Sequence, residues 1–148
     1  MEQTFVAIKP DGLQRRIVGK VINRLEEKGF RLVGIKMLWM DRALAAEHYR
    51  EHAEKPFFEP LIDFITSGPV IAMVWEGDEI IEAMRLMVGP TNGLKAPPGT
   101  IRGDYAAGGR KNLIHASDGP SAAEREINLF FKPEDRFNWE SALAPWIR

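Results

Sequence analysis

A chain of 148 residues with a formal net charge of −1 is sized for one domain, 1–148, and can bury about two-thirds of the surface its unfolded form exposes. Hydrophobic residues at 45% and charged residues at 28% exclude a disordered chain, and the near-neutral balance argues against nucleic acid as the main partner. The absence of cysteine excludes a disulfide framework, a thiolate zinc site and a thiol nucleophile.

The opening MEQTFVAIKPDG lacks the basic start and long apolar core of a secretory leader. No apolar run approaches the roughly 20 residues of a membrane span, so a soluble, cytoplasmic protein without a membrane partner is expected. Residues 4–8 read as a strand closed by a turn at Lys9-Pro10-Asp11-Gly12. Val18, Val21, Ile22 and Leu25 recur at helical spacing, with Lys28-Gly29 as the stop. Residues 30–40 form a second strand, apolar on much of both faces and so expected to be well covered. Asp41 can cap a helix carrying Leu44, His48, Tyr49 and His52, and Phe58, Leu61, Ile62 and Ile65 mark another short helix.

Residues 70–75 form a third, continuously apolar strand. Asp78 is expected to cap a helix lined by Ile80, Ile81, Met84, Met87 and Val88. A long loop follows at 91–112, and loops of that length without periodicity usually carry function. Residues 113–115 begin a fourth strand, Ser121 with Glu124 reads as a capping box for a last long helix, and Phe137, Trp139 and Trp146 give the tail enough apolar surface to pack. This order matches a β-α-β-β-α-β layout, an α+β fold whose sheet is antiparallel with helices expected on one face.

Charge concentrates late in the chain. From Arg85 to His115 five Lys/Arg stand against one acid, Asp104, amid glycine-rich backbone. Clustered cations, mobile backbone and an imidazole suit an anionic ligand whose phosphoryl group can be attacked.

Three local patterns suggest other chemistries. Gly12 to Lys20 fails as a phosphate-binding P-loop, because six residues separate the glycines and Val21 follows the lysine. His48-Tyr49-Arg50-Glu51-His52 fits the spacing of one zinc peptidase class, but a surface histidine pair is the simpler expectation. An RNA-binding domain shares the layout, yet neither the third nor the fourth strand carries the stacked aromatics it needs.

Thr4-Phe5-Val6-Ala7-Ile8-Lys9-Pro10-Asp11-Gly12, Pro56-Phe57-Phe58, Ser67-Gly68-Pro69-Val70, Pro98-Gly99-Thr100-Ile101-Arg102-Gly103-Asp104 and Asn112-Leu113-Ile114-His115-Ala116-Ser117-Asp118 together resemble the nucleoside diphosphate kinases, in order and over nearly the whole chain. The resemblance implies a ferredoxin-like sandwich and transfer of a γ-phosphate from a nucleoside triphosphate to a nucleoside diphosphate. The reaction would be ping-pong, through a phosphohistidine on His115, with Mg²⁺ carried on the nucleotide phosphates and no protein metal ligand. It also implies a homo-oligomer, tetramer or hexamer.

The remaining roles follow from the same resemblance. Lys9 and Asn112 match donors to the sugar hydroxyls, with Lys9 near the γ-phosphate. Arg85, Thr91 and Arg102 match phosphate ligands, and Phe57 matches the platform on which a base of any kind stacks. Tyr49, Ser117 and Glu126 match residues that help position the imidazole. The chain departs from the family pattern at Gly93-Leu94-Lys95, in a loop linked to subunit contacts. It departs again at Gly109-Arg110-Lys111, where the base loses an apolar partner opposite Phe57 and weaker nucleotide binding is expected.

Overall fold

The computed structural model describes residues 1–147. β1 (Glu2–Ile8) pairs antiparallel with β3 (Val70–Gly77) on one side and with β4 (Ile114–Ala116) on the other, and β2 (Arg31–Leu38) pairs with the far side of β3. The order is therefore β2-β3-β1-β4, the open antiparallel sheet of a ferredoxin-like sandwich.

Helices cover both faces, not the one face expected. β1 is buried at every residue from Thr4 onward, so each side of its pleat needs a cover. Val6 and Ile8, with Met73 and Trp75 of β3, pack against α2 (Val18–Glu27) and α5 (Ile80–Val88). Phe5 and Ala7, with Ala72 and Val74, pack under α3 (Arg42–His48), α4 (Phe58–Ile65) and α7 (Pro120–Phe130). The pair α3 and α4, inserted between β2 and β3, supplies much of this second layer.

β2 is also less covered than its sequence suggests. It is an edge strand with a register shift between Leu32 and Gly34, and Ile35, Met37 and the following Trp39 stay exposed. The tail is tied to this edge: Phe137 N donates to Val33 O at 2.8 Å and the Trp139 indole to Leu32 O at 2.8 Å. The short α8 (Ala144–Ile147) brings Ile147 over Gly29, whose φ of +103° favours glycine and whose added Cβ would lie 2.7 Å from Ile147 Cγ2. Phe137 and Trp146 nevertheless remain exposed.

Helix starts differ in three places. The turn expected after Lys9 is α1 (Pro10–Gln14), because Pro10 presets a helical φ and lacks the N–H that would be orphaned there. Proline acts the same way at α7, which starts at Pro120 with no side-chain cap in place of the box expected from Ser121 and Glu124. At α5 the cap is Glu79 at a left-handed φ of +51°, not Asp78, and the Glu2 carboxylate accepts from Ile81 N at 3.3 Å. Asp41 does cap α3, accepting from Leu44 N at 2.7 Å. The 91–112 loop holds one further short helix, α6 (Ile101–Tyr105), capped by Thr100.

Candidate active site

β4 sets the position of His115. Its register with β1 places His115 beside Ala7, on the face covered by α3, α4 and α7. Leu113, just before the strand, holds a φ of +75°, a conformation costly for a branched side chain. Its peptide is fixed from both sides: Leu113 N donates to Asp11 Oδ2 at 3.0 Å, and Leu113 O accepts from Lys9 N at 2.8 Å. The buried Leu113 side chain anchors the turn in the core. The β1–α1 junction and the β4 entrance are thus one unit.

A cleft of about 540 Å³ opens over this unit. Lys9, Tyr49, Phe57, Arg85, Thr91, Arg102, Asn112, His115 and Glu126 all line it, so nine of the ten expected site residues meet in one place. The tenth, Ser117, lies behind them. Its Oγ donates to Glu126 Oε1 at 2.6 Å, and the same oxygen is 2.9 Å from His115 Nε2. Burial alone would raise the Glu126 carboxyl, but the hydrogen bonds from His115 and Ser117 and the charge of Arg125 outweigh it and hold the group below its ordinary value. A carboxylate only accepts, so it fixes the imidazole proton on Nε2 and leaves the lone pair of the neutral ring on Nδ1.

Three of the cleft's cations are hydrogen-bonded in place. Arg102 is buried and spreads its fork over three backbone carbonyls: Asn112 O at 3.2 Å, Gly89 O at 3.1 Å and Ile114 O at 2.5 Å. Burial and the nearby Arg85 lower it to about 10, which still leaves it charged at neutral pH. Arg85, more exposed, donates to Ala116 O at 3.2 Å and pairs with Asp118 at 3.1 Å. Lys9 Nζ donates to Asn112 Oδ1 at 2.8 Å; burial and then Arg102 lower it to about 8, against the opposing pull of Asp11. Asn112 spends its amide on Thr91 O at 2.9 Å and Gly109 O at 3.0 Å.

At the outer rim Phe57 stands 45% exposed, its ring 5.4 Å from that of His52 and beneath Lys55 Nζ at 5.6 Å. Its open face at the cleft mouth is free to take a planar group. Arg110 and Gly109 also line the cleft.

Two side chains here escaped the sequence reading. Asp11 reads in sequence as part of a turn, whereas its carboxylate holds Leu113 N. His48 was expected on the surface with His52, but α3 ends at His48 and the chain continues as a 3₁₀ turn, so the two histidines do not share a helical face. His48 is 2% exposed, its ring edge-on to His115 with centroids 4.7 Å apart. Burial, then His115 and nearby cations, lower its pKa well below the ordinary value and keep it neutral. Tyr49, next along, is buried with its phenol pushed up and its hydroxyl without a partner. The pattern that concealed His48 was the i, i+4 histidine spacing itself, which suggested the wrong neighbour.

Comparisons with known proteins agree on one family. The family model described as nucleoside diphosphate kinase matches residues 2–136. The nucleoside diphosphate kinase of Archaeoglobus fulgidus is 56% identical over 147 residues, covering 99% of this chain and 97% of the relative. That of Carboxydothermus hydrogenoformans is 56% identical with 99% of each covered. Among solved structures, a halophilic nucleoside diphosphate kinase from Halobacterium salinarum in complex with CDP superposes with a TM-score of 0.98 at 49% identity, over 99% of this chain and 98% of that one.

Proposed function

The chain belongs to the nucleoside diphosphate kinase family, and from that premise we propose how its own residues carry out the reaction. It is a phosphotransferase that moves the γ-phosphate of a nucleoside triphosphate to a nucleoside diphosphate, and membership of the family sets aside the nucleic-acid-binding alternative. The observation that carries the mechanism is the 2.9 Å contact between His115 Nε2 and Glu126 in a cleft walled by Lys9, Arg85 and Arg102.

With its proton held on Nε2, His115 presents the Nδ1 lone pair. Nδ1 forms a bond to the γ-phosphorus as the bond to the β,γ-bridging oxygen breaks, and the diphosphate leaves with that electron pair. Glu126 stabilises the positive charge that grows on the ring. Lys9, Arg85 and Arg102 face the charge on the transferring oxygens, fixed in advance by their bonds to Asn112 and to backbone carbonyls. The acceptor diphosphate then takes the same position and reverses the step. Phe57 offers a face on which any base stacks, and Lys9 with Asn112 and Thr91 lies where the sugar and phosphates would pass.

Mg²⁺ fits this cleft as a passenger of the phosphates, whose charge it would partly neutralise. Of the lining acids, Glu126 is engaged with His115 and Ser117, and Asp118 with Arg85. That leaves Glu51 alone, too few ligands for a dedicated site.

We also place the enzyme in the cytoplasm as a homo-oligomer, tetramer or hexamer. The exposed Ile35, Met37 and Trp39 on the β2 edge support assembly, and light scattering on a size-exclusion column tests it. The mechanism is tested with γ-labelled ATP and Mg²⁺ on wild type beside His115→Ala. Acid-labile label on wild type alone, discharged by GDP or UDP as labelled triphosphate, is expected. A folded wild type that takes no label overturns it.

A further inference from the structure

The histidine at the end of α3 has no role in the reaction described above. Its Nδ1 is buried without a hydrogen-bond partner, an uncommon state for a polar atom in a well-packed layer. The residue belongs to the one cluster of metal-ligating side chains found among the described residues. His48, His115 and Glu126 each bring one donor atom, and all three atoms lie within 4.8 Å of one another.

We propose that His48, His115 and Glu126 form a reversible binding site for a borderline transition-metal ion of the Zn²⁺ type, distinct from the Mg²⁺ that travels with nucleotide. Two imidazoles and a carboxylate are a zinc donor set, and its fourth position opens onto the cleft. Donors on a tetrahedral zinc stand about 3.3 Å apart, so the three atoms need to close by about an ångström or more. His48 is neutral and needs no deprotonation to ligate. Ser117 Oγ, bonded to Glu126 Oε1 at 2.6 Å, orients the carboxylate as outer-shell partners do at metal sites. Lys9 and Arg125 lie close enough to lower the pKa of His48, and their charge opposes any cation. The ion must therefore gain from nitrogen coordination, which selects against Mg²⁺ and Ca²⁺.

The consequence for the reaction rests on the kinase reading. A neutral imidazole has one lone pair. An ion on Nε2 of His115 consumes it, and the ring proton moves to Nδ1, where the phosphorus would have been attacked. The enzyme is silenced without any blockage of the nucleotide path.

Isothermal titration of ZnCl₂ into the nucleotide-free protein decides the matter, with excess MgCl₂ present throughout. Wild type and His52→Ala are expected to bind one ion per chain. His48→Phe, which keeps a ring in the same space, should lose more than about tenfold in affinity, and His48→Gln serves if circular dichroism shows the Phe variant unfolded. Equal affinity in wild type and the folded His48 variant, or no binding at all, overturns the site. Label transfer from ATP to His115 should stop at saturating Zn²⁺ and return with EDTA; transfer that persists at saturation overturns the silencing. A wild type that takes no label without zinc defeats the kinase reading instead, and leaves the calorimetry to stand by itself.

Discussion

Lys9 Nζ and Asn112 Oδ1 meet at 2.8 Å across 103 residues of sequence, joining the end of β1 to the entrance of β4. The bond orients the lysine, and the burial that comes with it lowers the lysine to about 8, with Arg102 adding to the effect. Of the two buried cations of the cleft, Lys9 is thus more easily lost to base than Arg102.

On the mechanism proposed above the free enzyme needs this charge, so kcat/KM should fall as pH rises through about 8. Stability should move the other way. The folded pKa lies below the ordinary 10.5, so the cost of a buried charged lysine is present below about 8 and is relieved as pH rises from there to 10.5. Nucleotide-dependent rates and urea midpoints over the same pH series check both signs. Parallel trends would remove Lys9 as their source.

Glu126→Gln should slow phosphorylation of His115 by at least about tenfold, since an amide no longer fixes the Nε2 proton or the growing charge. Single-turnover quench with labelled ATP measures it. The wild-type carboxyl is held below its unfolded value of 4.5, so its stabilisation is present above 4.5 and is lost as pH falls through the folded pKa. The variant should therefore show a shallower loss of stability in acid.

Arg102→Lys keeps the charge but cannot reach Asn112 O, Gly89 O and Ile114 O together. Leaving buried carbonyls without a donor should cost about 2–4 kcal/mol. Urea unfolding of the nucleotide-free variant reads the loss, and an unchanged midpoint would mean that water replaces the guanidinium.

Gly109→Val should fold as well as wild type, because nothing lies within 4 Å of the added Cβ. It restores an apolar wall at the cleft rim, opposite the exposed Phe57 on the reading above, and should tighten nucleotide binding several-fold, in line with about 1 kcal/mol for a partly buried side chain. Equal diphosphate affinity in the two proteins, by calorimetry, counts against an apolar wall there.

The residues that meet in the cleft were legible through the resemblance to the family, whose short motifs carry several of them: Lys9 before Pro10-Asp11-Gly12, Phe57 after Pro56, His115 three after Asn112. What escaped depends on partners distant in sequence. β2 is apolar enough to suggest burial, yet it lies at the edge because β3 sits between it and β1. His48 looks like half of a surface pair until α3 packs it against β4. Asp11 has no signal of its own, since its partner, Leu113 N, arrives from 102 residues away. Pro120 starts α7 ahead of the box expected from Ser121 and Glu124, and Pro10 makes a helix start of the expected turn, a choice made by backbone preference over side-chain pattern.

The 91–112 loop is fastened from beneath. Asn112 holds Thr91 O and Gly109 O, Arg102 holds Gly89 O, Gly93 N donates to Gly108 O, and Arg24 reaches Asp104. Two of these fasteners, Asn112 and Arg102, are also walls of the cleft. The segment therefore cannot fray from one end while the cleft stays intact; in hydrogen exchange its amides should open together as one unit. A ligand that engages the cleft raises the protection of the whole segment at once, so occupancy is written into the opening rate of a surface loop while the sheet beneath it keeps still.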